Sequence, residues 1–425
     1  MNVQTPREYL ADLEFHGIKL GLEKIRALLT AAGNPHRAYP AVHIAGTNGK
    51  GSVAAFLDAM LRAAGYRVGR FTSPHIAAVN ERFTLNGECI RDEELDDTIS
   101  RFRSVAERMD SPPTFFEMTT AVAFRWFADR QVDAALVEVG MGGRLDSTNV
   151  VEPSAAAITN IGFDHTQYLG ATLEAIAAEK AGIIKPETPL VLGEIEQGPR
   201  TVILARAAEA HCCVRECGRD FRYRIEGPPL NPIFAYRSDM WNIPPTPLSL
   251  SGHHQGTNAA VAVALAEQIA PVFPKLDDRA VGAGLASARW PCRLERVLDN
   301  PPVIMDIAHN PDGARAVAGA IDRGIVLLAV SADKDAAAMI EALAPVATRF
   351  VFTRYTGPRA MPLERLCSAA GGRPHDAFAS IAEALPHAIA LASHDRPLII
   401  TGSIFTCGEA RTILVNQYGA CPLQF

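Results

Sequence analysis

A glycine-rich segment, GTNGKGS at residues 46–52, has the composition of a phosphate-binding loop. It stands between a short apolar run and a helix-like run, so its backbone N–H groups can turn toward phosphate oxygens at a helix N-terminus. Lys50 can reach the outer phosphates of a nucleotide, and Ser52 can face a metal ion. The spacing is shorter than the usual Walker pattern, with Gly51 between the lysine and the serine. The position of Lys50 just before the helix favours phosphate binding over a plain glycine turn.

Three polar side chains stand where predicted strands end. Ser73 follows a strand at residues 67–71, Glu138 closes a buried apolar strand, and His165 follows a strand at 155–161. Ligands of an open parallel sheet bind beyond the carboxyl ends of its strands, so these side chains can converge beside the phosphate loop. The Glu138 carboxylate and the Ser73 hydroxyl are the hard oxygen ligands that Mg²⁺ prefers, whereas His165 is softer. Taken singly, Glu138 could be a paired strand-end charge and His165 a capping or core residue.

The elements that position these residues alternate between strand and helix. Apolar strands are predicted before the phosphate loop and at 67–71, 134–139 and 155–161, and helices in the first forty residues and at 91–108, 118–130 and 173–182. Such alternation predicts a parallel sheet covered by helices on both faces. The last of these helices carries Lys180, and an isolated helix lysine is normally expected in solvent.

The rest of the chain divides into a proline-rich stretch and a second α/β unit. Residues 225–250 are rich in proline and predict irregular strands and loops, followed by an alanine-rich helix at 255–270. Four further strands, with helices between them, are predicted at 303–305, 325–330, 349–352 and 397–401. A chain of 425 residues suits two domains, and a boundary near 288–296 predicts them at 1–290 and 291–425.

Composition and charge narrow the classes of function. The 41 Lys and Arg residues stand against 47 Asp and Glu and form no basic block, which gives no case for nucleic-acid binding. The start lacks a basic segment followed by an apolar one, and no apolar run could span a bilayer, so we expect a soluble, cytoplasmic protein. Of the eight cysteines, Cys212, Cys213 and Cys217 cluster with His211. Zinc is one interpretation of that cluster, but without a second ligand pair at finger spacing a strand and turn with reduced thiols is favoured.

These segments together resemble the folylpolyglutamate synthase/dihydrofolate synthase family, within the wider Mur ligase group. The resemblance extends over nearly the whole chain, and the number and order of the matching stretches make a chance match negligible. The stretches are HIAGTNGKGS (43–52), TSPHIAAVNERFTLNG (72–87), TFFEMTTA (114–121), EVGMGGRLDSTNVV (138–151), ITNIGFDHTQYLG (158–170), EKAGIIKP (179–186), HQGTNAA (254–260), RWPCRLE (289–295), DIAHNPDGA (306–314), ADKD (332–335) and ITGS (400–403).

The resemblance implies an α/β fold and a nucleotide site. The N-terminal domain would be a P-loop ATPase built on a parallel sheet, the C-terminal domain would be Rossmann-like, and the active site would lie in the cleft between them. The residues predicted to contact ATP are Gly46, Thr47, Asn48, Gly49, Lys50, Gly51, Ser52, Asn258, Arg293, Asp306 and His309.

The resemblance also implies metal ions and a modified lysine. One Mg²⁺ would be held by Ser73 and Glu138, and a second by His165 and Lys180. Lys180 matches the lysine that is carbamylated in the family, which reverses its interpretation as a solvated residue. A monovalent cation is a further candidate cofactor. The predicted catalytic residues are Lys50, Glu138, His165 and Lys180.

The same resemblance predicts where the substrate lies. The residues expected to line the pterin end are Phe116, Arg144 and Asp146, while Phe115 is expected in the core. Arg82 is a further predicted substrate contact, as a polar partner near these aromatic side chains. Two positions depart from the family pattern, because Cys292 and Ile307 stand where glycine is usual. Both put a side chain near the joint between the domains and bring the geometry of that joint into question.

The activity that follows is ATP-dependent ligation. A carboxylate would be activated as an acyl phosphate and attacked by the amine of L-glutamate, releasing ADP and phosphate. We expect a monomer that uses small molecules only, with dihydropteroate and a reduced folate or its polyglutamates both accepted, although the sequence leaves open the use of only one of the two substrates. One alternative is another Mur-type amide ligase, but the TFFE and SPH–NER stretches resemble the folate branch of the group. The other is a non-catalytic nucleotide-binding protein, against which the complete set of predicted catalytic residues argues.

Overall fold

An eight-stranded, mostly parallel sheet forms the framework of the first half of the chain. The computed structural model describes residues 4–16 and 21–425. The strands are β1 (Ala41–Ala45), β2 (Val68–Phe71), β3 (Phe83–Leu85), β4 (Glu88–Cys89), β5 (Ala134–Glu138), β6 (Ala155–Ile158), β7 (Leu190–Leu192) and β8 (Val214–Glu216). Their order is β4-β3-β2-β5-β1-β6-β7-β8, with β3 and β4 antiparallel at one edge. The central strands are buried throughout, as expected of parallel strands covered on both faces.

Helices cover both faces of this sheet, as the alternating pattern predicts. They are α1 (Pro6–Asp12), α2 (Glu23–Ala31), α3 (Lys50–Ala63), α4 (Asp92–Ala106), α5 (Phe115–Asp129), α6 (Thr166–Leu169), α7 (Leu173–Ala181), α8 (Gln197–Glu209), α9 (Gln255–Ile269) and α10 (Asp278–Ser287), with 3-10 helices at Leu13–His16, Pro35–Arg37, Val79–Arg82 and Ser147–Val150. Alternate residues of β1 and β6 point to opposite faces. One face packs on α3, α9 and α10, and the other on α1, α2, α4, α5, α7 and α8.

The start of α5 shows how a local signal sets an element boundary. The hydroxyl of Thr114 accepts the N–H of Glu117, and the Glu117 carboxylate accepts the Thr114 N–H at 2.7 Å. This reciprocal capping satisfies two donors that a helix end otherwise leaves unpaired. The helix therefore begins three residues before the predicted start at 118, and Phe115 and Phe116 lie in its first turn.

The proline-rich stretch forms strands joined by loops, with a register shift between Phe234 and Tyr236, as predicted for irregular strands and loops. It forms a three-stranded antiparallel sheet of β9 (Phe221–Glu226), β10 (Ile233–Ser238) and β11 (Asn242–Pro247), in the order β11-β10-β9. The prolines 244, 245 and 247 all stand on β11, which is an edge strand. Proline lacks an N–H donor and is tolerated on an edge, where one side of the strand has no partner to supply.

The second α/β unit is built on a six-stranded sheet. Its strands are β12 (Glu295–Asp299), β13 (Pro302–Met305), β14 (Gly324–Leu328), β15 (Ala347–Phe352), β16 (His375–Ala377) and β17 (Leu398–Thr401), and its helices are α11 (Pro311–Ala318), α12 (Ala336–Leu343), α13 (Leu363–Ala369), α14 (Ile381–Leu391) and α15 (Ile404–Tyr418). The order is β12-β13-β17-β14-β15-β16, with only β12 antiparallel to its neighbour among these strands. The four predicted strands are present, and the two that the sequence did not predict lie at the sheet edges.

The segment between α10 and β12 joins the two sheets. We propose that the domains divide there, at 1–290 and 291–425, because α10 packs on the first sheet and β12 pairs within the second. In the described part of the chain, no helix combines the length and the apolar character needed to cross a membrane.

Candidate active site

The glycine-rich loop turns tightly between β1 and α3. Gly46 and Gly49 have φ angles of 152° and 85°, which side-chain-bearing residues rarely adopt. A Cβ on Gly46 would lie 1.8 Å from Thr159 Oγ1, and a Cβ on Gly49 would lie 2.2 Å from Asn258 Oδ1. The Thr159 hydroxyl also donates to the Asn48 carbonyl at 2.6 Å. The loop is thus fixed by its neighbours, with its backbone at the N-terminus of a 14-residue helix where anions are favoured.

Polar neighbours hold the rest of the loop in place. The N–H of Thr47 donates to the Asn160 carbonyl at 3.1 Å, and the N–H of Asn48 donates to the Asn160 side chain at 2.9 Å. Asn310, from the second unit, donates its side-chain amide to Asn48 Oδ1 at 3.2 Å. Gly51 and Ser52 are buried in the first turn of α3. The loop therefore contacts both halves of the chain.

Lys50 lies between the loop and Glu138. Its ammonium donates to the carbonyls of Gly46 and Thr47 at 3.1 and 3.2 Å and lies 3.9 Å from Glu138 Oε1. Glu138 is 5% exposed, and its carboxylate accepts the Ser73 N–H at 3.4 Å. Burial raises the pKa of Glu138, while Lys50 and the Ser73 N–H act to lower it. A buried carboxylate with such long contacts is suited to a cation.

Lys180 is not a solvated helix lysine. It is 5% exposed near the end of α7, and its Nζ donates to the Gly46 carbonyl at 2.9 Å. Burial, together with the charge of Lys50, lowers the pKa of Lys180 to about 7. A substantial fraction of this amine is therefore neutral near neutral pH, which makes it a nucleophile.

Three titratable side chains from the two halves of the chain lie close to the Asp164 carboxylate. Lys334 Nζ lies 2.8 Å from that carboxylate, and the Nε2 atoms of His309 and His165 lie at 3.5 and 3.7 Å. Burial acts to raise the pKa of Asp164, but these three partners together hold it well below its ordinary value. Burial lowers the pKa of His165, which favours the neutral imidazole that can bind a metal. Sequence reasoning quoted the stretches containing Asp164, Lys334 and Asn310 but assigned these residues no role.

One pocket collects side chains from these segments. It is lined by Lys50, Asp164, His165 and Lys180, with loop residues Gly46 and Thr47 and the backbone that follows Glu138. Three of the four predicted catalytic residues therefore share a pocket, and the fourth contacts Lys50.

The described residues hold no group of three His, Cys, Asp or Glu side chains placed to bind a metal ion. The zinc interpretation of His211, Cys212, Cys213 and Cys217 therefore has no support in the described structure, as expected from the sequence, which favours a strand and turn with reduced thiols. At the pocket, a magnesium ion would need further ligands from phosphates and water, which is its usual coordination in nucleotide sites.

Comparisons with known proteins identify the family to which this chain belongs. The model of the Mur ligase middle domain matches residues 44–266, and that of the Mur ligase glutamate ligase domain matches residues 292–404. A dihydrofolate synthase/folylpolyglutamate synthase of Bacillus subtilis is 38% identical over 84% of this chain and 86% of its own. The chain belongs to the folylpolyglutamate synthase/dihydrofolate synthase family of Mur ligases.

Two solved structures of this family superpose closely. The Mycobacterium tuberculosis folylpolyglutamate synthase complexed with ADP and AMPPCP has a TM-score of 0.88 and 35% identity, covering 96% of this chain and 98% of that one. The Escherichia coli protein in complex with DHPP and ADP has a TM-score of 0.87 and 30% identity, covering 97% and 98%.

Membership in the folylpolyglutamate synthase/dihydrofolate synthase family confirms the resemblance, the two-unit α/β fold and the enzyme class predicted from the sequence. The protein is an ATP-dependent ligase. The two Mg²⁺ sites, the carbamylated lysine and the monovalent cation stay predictions, as do the monomeric state and the cytoplasmic location.

The predicted nucleotide contacts outside the loop fall into two groups. The Asn258 side chain lies against Gly49 and donates to Gln255 Oε1 at 2.9 Å. Arg293 has a buried Nε that finds no partner in the described residues, and it lies close enough to Glu138 to lower that carboxyl's pKa. Contacts of Asn258, Arg293 and His309 with a nucleotide stay predictions.

Asp306 has a structural role that the sequence did not predict. It is 5% exposed, and its carboxylate accepts the N–H groups of Leu294 and Ala308 at 3.0 and 2.8 Å. These bonds pin the joint segment to the end of β13. A direct contact between Asp306 and the nucleotide stays a prediction.

The joint accommodates the two side chains that depart from the family pattern. Cys292 is fully buried with a φ of 54°, and its carbonyl accepts the Ile307 N–H at 3.1 Å. The Cys292 N–H donates to the Glu295 carboxylate at 2.9 Å. A left-handed non-glycine residue is disfavoured by roughly 1–2 kcal/mol, which these contacts offset.

Two of the residues predicted to contact the pterin have side-chain surface that is accessible to a substrate. Phe116 is half-buried, with its ring centroid 5.9 Å from that of Phe71 in the core. Arg144 is exposed and donates to Glu179 Oε1 at 2.8 and 3.2 Å. Phe116 lies against Gly140, and Arg144 belongs to the loop that follows β5.

The other two predicted pterin residues are engaged within the protein. Arg82 is buried, donates to His75 Nδ1 at 3.0 Å and lies 5.0 Å above the Phe115 ring, so Phe115 is only partly a core residue. Desolvation lowers the pKa of Arg82 to about 10. Asp146 is 5% exposed and accepts the N–H groups of Met141 and Thr148 at 2.9 and 3.0 Å. Asp146 shapes the loop, and its contact with substrate stays a prediction.

Proposed function

We propose that this enzyme joins L-glutamate to the carboxylate of dihydropteroate and of reduced folates or their polyglutamates. The observation that carries the proposal is the single pocket where Lys50, His165 and Lys180 meet beside Glu138, with Lys334 brought from the second unit. Relatives named for both the dihydrofolate synthase and the folylpolyglutamate synthase activity support the dual substrate range.

The proposed chemistry has two steps. A substrate carboxylate oxygen attacks the γ-phosphorus of ATP, so that an acyl phosphate forms and ADP leaves. The amine of L-glutamate then attacks the acyl carbon, and the tetrahedral intermediate expels phosphate and loses a proton from nitrogen, leaving an amide. Because a carboxylate has no good leaving group, the first step is what makes the second possible. Charge stabilisation and positioning, rather than a covalent protein nucleophile, must supply the catalysis.

The protein groups have distinct parts in this scheme. The loop N–H groups and Lys50 face the charge that spreads over the transferring phosphoryl group. Lys50 now bonds loop carbonyls and has Glu138 3.9 Å away, so its ammonium is positioned beside the loop before a nucleotide binds. The bridge from Asp164 to Lys334 and His309 closes the two units over the pocket, which keeps water from the acyl phosphate.

The donor set can be tested against the predicted magnesium ions. Ser73 and Glu138 would hold one ion, and the buried, weakly partnered Glu138 carboxylate fits that role. His165 and Lys180 would hold the other, but an ammonium repels a cation, so Lys180 fits only as a carbamate. Reaction of its neutral amine with CO₂ forms an N–C bond and releases one proton, leaving a carboxylate. When bound, Mg²⁺ would supply positive charge at the phosphates.

Steady-state assays with purified enzyme test the proposal. ATP-dependent incorporation of L-glutamate is measured with dihydropteroate and with a reduced folate monoglutamate in separate reactions. We expect turnover with both. Turnover with dihydropteroate alone would make the enzyme a dihydrofolate synthase only, and turnover with the folate alone would make it a polyglutamate synthase only. Failure of both would reject the folate substrates and leave the ligase class standing, with a UDP-muramoyl substrate as the next assay.

A further inference from the structure

A second cleft lies at the opposite end of the first sheet's strands from the active site. It forms where the chain approaches the amino ends of β1, β6 and β7, and its volume is about 580 Å³. That volume lies within the range of small-molecule sites and far exceeds the size of an inorganic ion. The active site, in contrast, lies at the carboxyl ends of the strands. Nothing in the ligase chemistry uses the amino-end cleft.

The cleft carries an excess of positive charge. Arg26, Arg37 and Lys185 line it, against a single carboxylate, Glu152. Glu152 lies 3.8 Å from Arg37 and is 81% exposed, so this ion pair is weak. Arg26 makes no ion pair with any described residue. Burial and the charge of Arg26 lower the pKa of Lys185, which reflects like charges facing each other across the cleft.

Buried polar atoms without partners also line the cleft. His36 is 8% exposed with its ring against Phe124, and its Nδ1 finds no hydrogen-bond partner in the described chain. Asn149 is 5% exposed, and its Oδ1 is likewise unpartnered among those residues. Both atoms are buried, and the Asn149 oxygen can only accept a hydrogen bond, so an anion in the cleft would meet the cationic side chains rather than these atoms.

We propose that this amino-end cleft binds a small organic anion with two or more oxyanionic groups, either phosphates or carboxylates. Arginine guanidinium groups suit such groups because they donate two parallel hydrogen bonds to one oxyanion. Three cationic side chains against one carboxylate leave an excess of positive charge that more than one oxyanionic group can balance. Valine and proline side chains on one wall would contact the carbon skeleton.

The cleft adjoins segments that also shape the active site. Lys185 donates to the Asn149 carbonyl at 2.9 Å. The Asn149 amide donates at 3.0 Å to the carbonyls of Arg144 and Gly182, and Gly182 stands two residues after Lys180. Variants used to test the cleft should therefore leave Lys185 and Asn149 in place and change the exposed arginines.

The test is calorimetric titration of the full-length protein saturated with ADP in the absence of divalent metal, so that the phosphate loop is filled. The probes are fructose 1,6-bisphosphate and tricarballylate, which separate a phosphate ligand from a carboxylate ligand. We expect at least one probe to bind at one site per chain. Its dissociation constant should rise about tenfold or more in the Arg26→Gln/Arg37→Gln double variant.

Two controls make the result decisive. The Arg101→Gln/Arg108→Gln variant removes the same charge from exposed positions outside the cleft and should bind like the unmodified protein. Glu152→Gln should tighten binding about twofold to threefold, because it removes the carboxylate that competes for Arg37. Misfolding could not produce that gain. If neither probe binds at millimolar concentration, or if both arginine double variants bind alike, the proposal is overturned.

Discussion

Two buried carboxylates stand at strand ends in the two sheets, and their surroundings are opposite. Glu138 closes β5 and Asp306 follows β13, each is 5% exposed, and burial raises the pKa of both. Asp306 accepts two backbone N–H groups at 3.0 and 2.8 Å. Glu138 has one N–H at 3.4 Å and an ammonium at 3.9 Å. A buried carboxylate near a strand end thus serves the backbone in one sheet and is left available in the other.

This difference separates function from stability. Burying a carboxylate is costly unless hydrogen bonds or a cation compensate, and the protein compensates Asp306 but only weakly compensates Glu138. A poorly satisfied group persists where function requires it, because active sites commonly trade stability for activity. Substitution of Glu138 should therefore reduce turnover, and substitution of Asp306 should reduce the free energy of unfolding.

The largest expected effect is from Lys50→Ala. Loss of the ammonium beside the phosphate loop should lower kcat by about a thousandfold or more, because its charge faces the transferring phosphoryl group. Circular dichroism should show an unchanged fold. Lys275→Ala, which removes an ammonium lying over Tyr66 far from the loop, is the matched control and should keep full activity. A Lys50→Ala enzyme with a tenth of the normal rate would remove Lys50 from the catalytic group.

Lys180→Ala should lower kcat by about a hundredfold to a thousandfold, since it removes the proposed carbamate ligand. Short carboxylates such as acetate should restore part of the activity of the variant and leave the unmodified enzyme unchanged. Enzyme depleted of CO₂ should regain activity when CO₂ is restored, and at a fixed concentration of dissolved CO₂ the recovery should be faster as the pH rises through about 7, because the neutral amine fraction of Lys180 then increases. Well-ordered crystal density that stops at Nζ in the presence of ATP and Mg²⁺ would refute the modification.

Glu138→Gln tests whether the Glu138 carboxylate is held for a cation or, like Asp306, for the structure. Removing the charge while keeping the shape should lower kcat/KM by about a hundredfold if Glu138 holds a cation. The free energy of unfolding, measured by urea denaturation without nucleotide, should stay within about 0.5 kcal/mol or rise, because a poorly compensated buried charge is removed. A loss of stability larger than about 1 kcal/mol would mean that Glu138, like Asp306, is held for structure.

Much of the first sheet's site could be predicted because its residues follow their strands closely in sequence. Ser73, Glu138 and His165 each stand at or after a strand end, and parallel topology brings such positions to one edge. The bridge from Asp164 to Lys334 could not be predicted in this way, because its partners are 170 residues apart and meet only through the orientation of the two units.

The hydrogen bonds between carboxylate side chains and backbone N–H groups also could not be predicted from the sequence. Asp146 and Asp306 belong to stretches that match the family, yet both direct their oxygens at nearby N–H groups. A motif reports which residue is present and not which atoms it contacts. The prolines of the proline-rich stretch are compatible with a strand because β11 lies at an edge, and the sequence alone does not show which strand is at the edge.

Asp306→Asn should have the smallest effect of these substitutions on the enzyme. It also distinguishes a structural role of Asp306 from a role in binding the nucleotide. The asparagine Oδ1 can accept only one of the two N–H groups, from Leu294 or Ala308, and its own amide would face the other donor. The free energy of unfolding should fall by about 1–3 kcal/mol, as expected when a buried donor loses its acceptor. Asp312→Asn, at an exposed position in the first turn of α11, is the matched control and should change it by less than about 0.5 kcal/mol.

Kinetics of the Asp306→Asn variant then decide between the joint and the nucleotide. If Asp306 acts by pinning the joint segment, stability and kcat fall together, and the KM for ATP changes by less than about threefold, because uniform binding of the nucleotide is retained. If Asp306 instead binds the nucleotide, the KM for ATP rises while the unfolding free energy stays near that of the unmodified enzyme. The second result would erase the contrast with Glu138, since both carboxylates would then be held for a ligand. The short contacts to Leu294 and Ala308 favour the first, because they already use the oxygens that a nucleotide would need.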